Sequence, residues 1–234
     1  MNPKTPPAKP AGGKAAFSRR SLGQEVTDLL RHQILAGEHR PGQRLVELNL
    51  AQEMNISRTP VREALHRLAQ EGLLTKRPRG GYEVRPLSPQ EVEEAVGVRA
   101  ALESYAARLA AGRATSQQVQ DLEQNLTAFQ AALENRDEDT LVALNAEFHH
   151  LLAEAAGSLL LSRLLGELEE VVERISRALI TTMPAGGWST DEHRELVEAI
   201  ARGDGDTAAR LAASHVERGG AWILSRMRQE SLEL

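Results

Sequence analysis

Beyond Ser88 the sequence shows one amphipathic helical pattern after another. Apolar positions recur at helical spacing over about 88–111, 115–134, 137–157, 159–182, 190–203 and 206–229. The breaks between them are brief: "AGRATS", "ENRDED", "AAGS", "MPAGGWST" and "ARGDGD". Six helices joined by such short loops pack antiparallel, so an all-α bundle is expected. Aromatic residues make up only 3% of the chain, which disfavours sheets, because strands draw on aromatic and β-branched side chains. No internal repeat and no sustained heptad pattern is present.

The first part of the chain has a different rhythm. Leu22, Val26, Leu29, Leu30 and Ile34 mark a first helix, and "AGEHRPGQRL" interrupts it with two glycines and a proline. A short helix is expected over Val46–Met54, with Leu48, Leu50 and Ala51 turned inward. After "MNIS" a third helix runs over Arg58–Glu71, with Gly72 placed to end it. "LLTKR" and "GYEVRP" then read as two short strands around the basic tip "PRGG". Three helices followed by a two-stranded basic hairpin is the order of a winged helix-turn-helix. The expected organisation is a disordered basic tail over 1–18, the winged domain over 19–86, a linker over 87–90 and the helical bundle over 91–230. Ser88, Pro89 and Glu91 form a capping box with proline at the first helical position.

Charge divides in the same place. Residues 1–86 hold 15 Lys and Arg against 8 Asp and Glu, a net +7, and residues 87–234 carry −12. A basic module that meets a polyanion, joined to an acidic one that does not, fits this split. The chain has no cysteine, which excludes disulfides and thiolate metal sites and points to a reducing, cytoplasmic setting. No stretch approaches the ~20 apolar residues that cross a bilayer, so no membrane partner is expected.

The third helix carries the most specific local signal. With Ser57 as N-cap, Pro60 falls in the first turn, where a missing N–H costs little. Val61, Ala64, Leu65 and Leu68 then form one apolar arc. Thr59, Arg62, His66 and Arg67 project from the other side, with Arg58 at the exposed N-terminal edge. Such a helix can enter the major groove of double-stranded DNA, where arginine bonds guanine through O6 and N7. The stretch "LNLAQEMNISRTPVREALHRLAQEGLL", with "PGQRLVELNLA" before it and "PRGGYEV" after it, resembles the signature of GntR-family transcriptional regulators over residues 22–86. The resemblance implies that Arg58, Thr59 and Arg62 contact operator DNA and that Arg79 and Gly80 at the wing approach its backbone or minor groove. Some relatives carry a further DNA-contacting arginine on the second helix; here that position is Leu48.

In the bundle, Asn145 and His149 lie four apart on one helix face. His193 follows an expected Ser189/Glu192 capping box, and His215 sits mid-helix among inward positions. His150 is rotated ~100° from His149 and falls outside this group. Three imidazoles and an amide oxygen could converge on a divalent cation such as Zn²⁺ or Ni²⁺. Histidines on an apolar face also occur simply as hydrogen-bonded core residues, and spacing alone leaves both open. "VGVRAALESYAARLAA", "NAEFHHLLAEAAGS" and "EHRELVEAIARGDGDTAARLAASHV" resemble the ligand-binding FCD domain of the FadR-type branch. That resemblance implies a metal held by Asn145, His149, His193 and His215, with Asn145 where the family usually has aspartate, so the set carries one fewer negative charge.

The family pattern also implies a small organic-acid effector in the same cavity. Arg99 is its first candidate contact, set against a salt bridge to Glu103 one turn on; Arg174 and Arg177 are looser candidates. The expectation is a homodimeric regulator, in the commoner case a repressor, that reads an inverted repeat. Pro86–Pro89 would pass the effector's influence to the winged domains. The alternatives are a bundle that only dimerises or binds a ligand without metal and, more remotely, a metal-dependent hydrolase. No catalytic residue is assigned: Glu147, the nearest carboxylate, lies ~200° around the helix from His149, and neither a nucleophile motif nor a phosphate-cradling loop is present.

Overall fold

In the computed structural model, residues 21–182, 190–230 and 234 are described; the expected tail over 1–18 and Ser189 lie outside them. Helix α1 (Leu22–Leu35) starts from a Ser21/Gln24 capping box. After β1 (Arg44–Leu45) come α2 (Glu47–Glu53), α3 (Arg58–Gln70), β2 (Leu74–Lys76) and β3 (Tyr82–Val84). The hairpin gains a third strand, because β1 pairs antiparallel with β3 to give the order β1-β3-β2. A strand of two residues has no periodicity to read, so the sequence offered no sign of it.

Val26, Leu30 and Ile34 of α1 close over Val61, Leu65 and Leu68 of α3, with Tyr82 and Val84 beneath. One expectation fails here. Leu48 is 48% exposed rather than inward, and Leu22 and Leu29 also face outward. Helix α2 has only two turns and buries one narrow strip, Leu50 and Ala51. Gly72 takes φ +85° just after the end of α3, a left-handed C-terminal stop that glycine adopts without steric cost.

The bundle contains α4 (Pro89–Arg113), α5 (Ser116–Asn135), α6 (Glu138–Ala155), α7 (Leu159–Gly166), α8 (Glu169–Thr182), α9 (Asp191–Ala201) and α10 (Gly205–Glu230). The Ser88/Glu91 capping box forms as expected. The helix expected over 159–182 is two helices, broken at Glu167 and Leu168 after Gly166, a poor helix former. Ala106 and Ala110 of α4, Leu122 of α5, Phe148 and Leu152 of α6, Leu196 of α9 and Ala212 of α10 form the main core. The small side chains on α4 and α10 let these two long helices run close together. A Cβ on Gly220 would lie 2.4 Å from Val96 Cγ1.

The two parts meet along α8. Arg174 Nη2 donates to the Arg85 carbonyl at 2.9 Å, and Arg31 pairs with both Glu71 at 2.7 Å and Glu170 at 3.0 Å. Arg85 in turn donates to the Gly72 carbonyl at 2.7 Å and pairs with Glu91. Leu87 donates its backbone N–H to the Leu234 carbonyl at 2.7 Å, and both side chains pack with Val92, Ile175 and Ile223. Among the described residues, no helix is long and apolar enough to cross a membrane.

Candidate functional site

The outer side of α3 is assembled as the apolar arc requires. Val61, Ala64, Leu65 and Leu68 are buried, while Arg58, Thr59, Arg62 and His66 are exposed. Ser57 occupies the N-cap position, but its side chain makes no capping bond. Glu47, at the start of α2, accepts from Arg58 Nη2 at 3.2 Å and from Arg62 Nε at 3.1 Å through the same oxygen, Oε2. At the wing, Arg44 Nη2 donates to the Gly80 carbonyl at 3.0 Å. Arg79 and Gly80 are exposed at the tip, and Gly80 and Gly81 both have positive φ.

Inside the bundle, His149 from α6, His193 from α9 and His215 from α10 converge, each offering a ligand atom within 4.8 Å of the others. His193 Nε2 and His215 Nε2 are 3.0 Å apart. Two nitrogens each bound ~2.0–2.1 Å from one ion can span that separation. His215 Nδ1 lies 3.0 Å from Glu192 Oε2, and Arg218 holds the other oxygen of Glu192 at 2.6 Å. His149 Nδ1 lies 2.8 Å from Glu103 Oε2, close in distance but off ideal hydrogen-bond angles. Glu103 also receives Arg99 Nε at 2.5 Å. A carboxylate at Nδ1 assigns the proton there and leaves Nε2 as a lone pair, the usual outer-shell arrangement behind a metal-binding histidine. Phe148 stacks on His193 with ring centroids 4.1 Å apart, fixing its plane.

Electrostatics favour the neutral form of two of the three rings. Burial lowers His149 to about 4, helped by the Arg99 charge and only partly offset by Glu103. Burial, with the neighbouring His215, His149 and Arg99, also puts His193 well below the usual imidazole value. For Glu103 burial pushes upward, but Arg99 and His149 outweigh it and hold the carboxyl near 2. The donor set therefore suits a borderline divalent cation: three converging imidazoles, with His149 and His193 held neutral by burial, backed by carboxylates.

Asn145 lies on the same wall, buried, and its Nδ2 donates to Ser176 Oγ at 3.3 Å. Asn145, His149, His215 and Arg99 line a cavity of about 40 Å³. A larger chamber of about 240 Å³ adjoins it through Arg99, His149, Val172 and Ser176. Arg99 forms the ion pair with Glu103 and also lines both spaces. Arg174 and Arg177 line neither space. Arg174 is spent on the Arg85 carbonyl, and Arg177 pairs with Asp139 at 2.8 Å. Glu147 turns away from the histidines to accept from Asn125 at 2.9 Å.

Sequence reasoning missed Glu192 as a partner for His215. It was expected to close a capping box with Ser189; instead Thr190 is the N-cap, without a side-chain bond, and Glu192 faces α10. No local pattern marks that contact, since 23 positions separate the two residues. Glu103 was visible as the partner of Arg99, but its second contact, to His149, depends on how α4 meets α6.

A winged helix-turn-helix with an exposed cationic helix, joined to a bundle with an internal polar cavity, defines a class: DNA-binding regulators with a separate helical domain. The chain belongs to the GntR family of bacterial regulatory proteins. Residues 22–84 match the family described as bacterial regulatory proteins, gntR family, and residues 94–218 match the FCD domain. It is a DNA-binding transcriptional regulator of that family. It is 31% identical over 196 residues to the HTH-type transcriptional repressor RspR of Escherichia coli K12, covering 84% of this chain and 86% of that one. It is also 31% identical to the Nta operon transcriptional regulator of Aminobacter aminovorans, covering 83% and 91%. Among solved structures, E. coli McbR/YncC has the same fold, with a TM-score of 0.75 at 24% identity over 90% of this chain and 100% of that one.

Proposed function

We propose that this regulator binds an inverted-repeat operator as a homodimer and that a small carboxylate effector, bound at a divalent metal in the bundle, sets its operator affinity. Arg58, Thr59, Arg62 and His66 would meet base edges and phosphates in the major groove, with Arg79 and Gly80 at the wing against the backbone. His149, His193 and His215 would hold Zn²⁺ or Ni²⁺, with Asn145 contributing a neutral oxygen. The observation that carries this reading is the meeting of three imidazoles, two of them backed at Nδ1 by Glu103 and Glu192. The metal, when bound, supplies a Lewis-acidic seat for a carboxylate. Arg99 faces the same cavity and offers a second contact.

The winged domain is taken as 19–86, the linker as 87–90 and the effector domain as 91–230, working in the cytoplasm. The dimer can form on the bundle, where Val98 and Tyr105 are exposed on α4 and Leu159 and Leu160 on α7. Repression is the favoured sign, since RspR is named a repressor. Coupling runs through α8 as well as the linker. Val172 and Ser176 line the cavity, while Glu170 and Arg174 on the same helix grip the winged domain. By linkage, effector and operator must then change each other's affinity by the same factor.

The test is metal analysis of gently purified protein, then thermal unfolding with added Zn²⁺ or Ni²⁺ and a panel of small organic acids. Specific ligands raise the melting temperature by mass action, and an acid that does so should also shift operator affinity. Protein that holds no metal and takes none up would sink the metal role. The 3.0 Å contact between His193 and His215 would then be a plain hydrogen bond, favouring a metal-free cavity.

A further inference from the structure

Glu47 occupies an unusual place for a carboxylate on a surface that meets DNA. Its single oxygen Oε2 holds Arg58 Nη2 and Arg62 Nε, and its side chain is 20% exposed against 56% and 61% for the two arginines. Helix α2 carries no cation of its own, and the neighbouring Leu48 is exposed and uncharged. One anion therefore balances part of the positive charge that the N-terminal end of α3 offers.

We propose that Glu47 is a positioning and specificity-determining residue: it aims Arg58 and Arg62 at base edges and suppresses their binding to arbitrary phosphate. This rests on α3 being the DNA-reading helix. Because Glu47 takes the Nε–H of Arg62, both terminal nitrogens of that guanidinium stay available for guanine O6 and N7. An arginine already fixed at one edge loses less side-chain freedom when it docks, so the aimed contact is favoured. Binding to arbitrary DNA rests on phosphate neutralisation and counterion release. A carboxylate beside two guanidinium groups weakens that term at every sequence and leaves the aimed contacts in place. The combined effect is a larger ratio of operator to non-operator binding.

The full-length chain and its Glu47→Gln, Arg58→Ala and Arg62→Ala variants would be presented with a pool of random-sequence duplexes. The bound fraction is sequenced, and binding to unselected duplex is measured across salt concentrations. Glu47→Gln is expected to lose base preference at the positions that Arg58→Ala or Arg62→Ala also lose. It should bind unselected duplex about tenfold more tightly, with a salt slope steeper by about one. Glu47→Ala should show the same two changes, and circular dichroism checks that each variant is folded. A Glu47→Gln protein with the wild-type motif and wild-type affinity for unselected duplex would overturn the proposal. So would loss of a single C·G position that both arginine variants retain, because Glu47 would then be reading cytosine N4 itself. If the arginine variants keep the full motif, the recognition-helix reading fails as well; if they lose it and Glu47→Gln does not, only the positioning role falls.

Discussion

The two working surfaces of this protein are built on opposite plans. In the winged domain the apolar residues of α3 go inward and the polar ones are left exposed around the rest of the helix, so one segment of thirteen residues holds both core and function. In the bundle the candidate metal-binding residues are themselves interior. His193 is 4% exposed, and its partners come from helices 44 and 22 positions away in sequence. An exposed site can be changed one side chain at a time with little effect on folding. A buried polar site ties function to stability, because every ligand is also part of the packing.

The contrast can be tested, starting with the largest effect. His193→Ala removes one imidazole and the ring on which Phe148 stacks; stoichiometric metal uptake should disappear, read by elemental analysis after dialysis against Zn²⁺. Arg62→Ala should cost ~1–3 kcal/mol of base discrimination and leave both metal content and melting temperature at wild-type values. If it lowers the melting temperature substantially, the two plans are less separate than they look. Glu192→Gln keeps the shape behind His215 but removes the charge; losses of ~10–100-fold in metal affinity are typical for such outer-shell changes, measured by competition with a chelator.

A more gradual effect is in pH. In metal-free protein His149 is lowered to about 4 from 6.5 and His193 is held well below its usual value by burial, while Glu103 is held near 2 instead of 4.5. As pH falls from 7, the unfolded chain takes up protons that the folded one refuses. The stability tied to these groups is complete above the unfolded histidine value and drains away as pH falls toward the folded values. The slope is at most ~1.4 kcal/mol per pH unit for each histidine. Melting temperatures of chelated protein between pH 7 and 5 should fall accordingly, and His149→Asn should flatten the decline.

What was legible in the sequence follows from the same contrast. Helix α3 could be read almost completely, because its cap position, proline, apolar arc and arginines are all local. Asn145 and His149 were also readable as a pair, being four apart on one helix. Their meeting with His193 and His215 needed the family resemblance, since spacing along the chain says nothing about which helix faces which. Glu192 and the reassignment of Arg174 to the domain junction lay beyond both kinds of reading. Each depends on a contact between segments far apart in sequence, 23 residues for Glu192 with His215 and 89 for Arg174 with Arg85. The break between α7 and α8 was marked only by Gly166, inside an otherwise continuous apolar pattern.

The close approach at Gly220 also governs how this protein can diversify. Val96 lies one turn before Arg99 on α4, and Gly220 lies just over one turn after His215 on α10. This close contact of the two helices therefore lies beside the cavity they share. A Cβ at 220 would come within 3.1 Å of three atoms of Val96, a β-branched side chain with little freedom to turn aside. A side chain at 220 therefore requires Val96, or the stretch of α4 that carries it, to shift. Under the proposed function, a change of effector preference would come most readily from cavity side chains such as Val172 or Val216, while added bulk at 220 would press on α4 beside the same cavity.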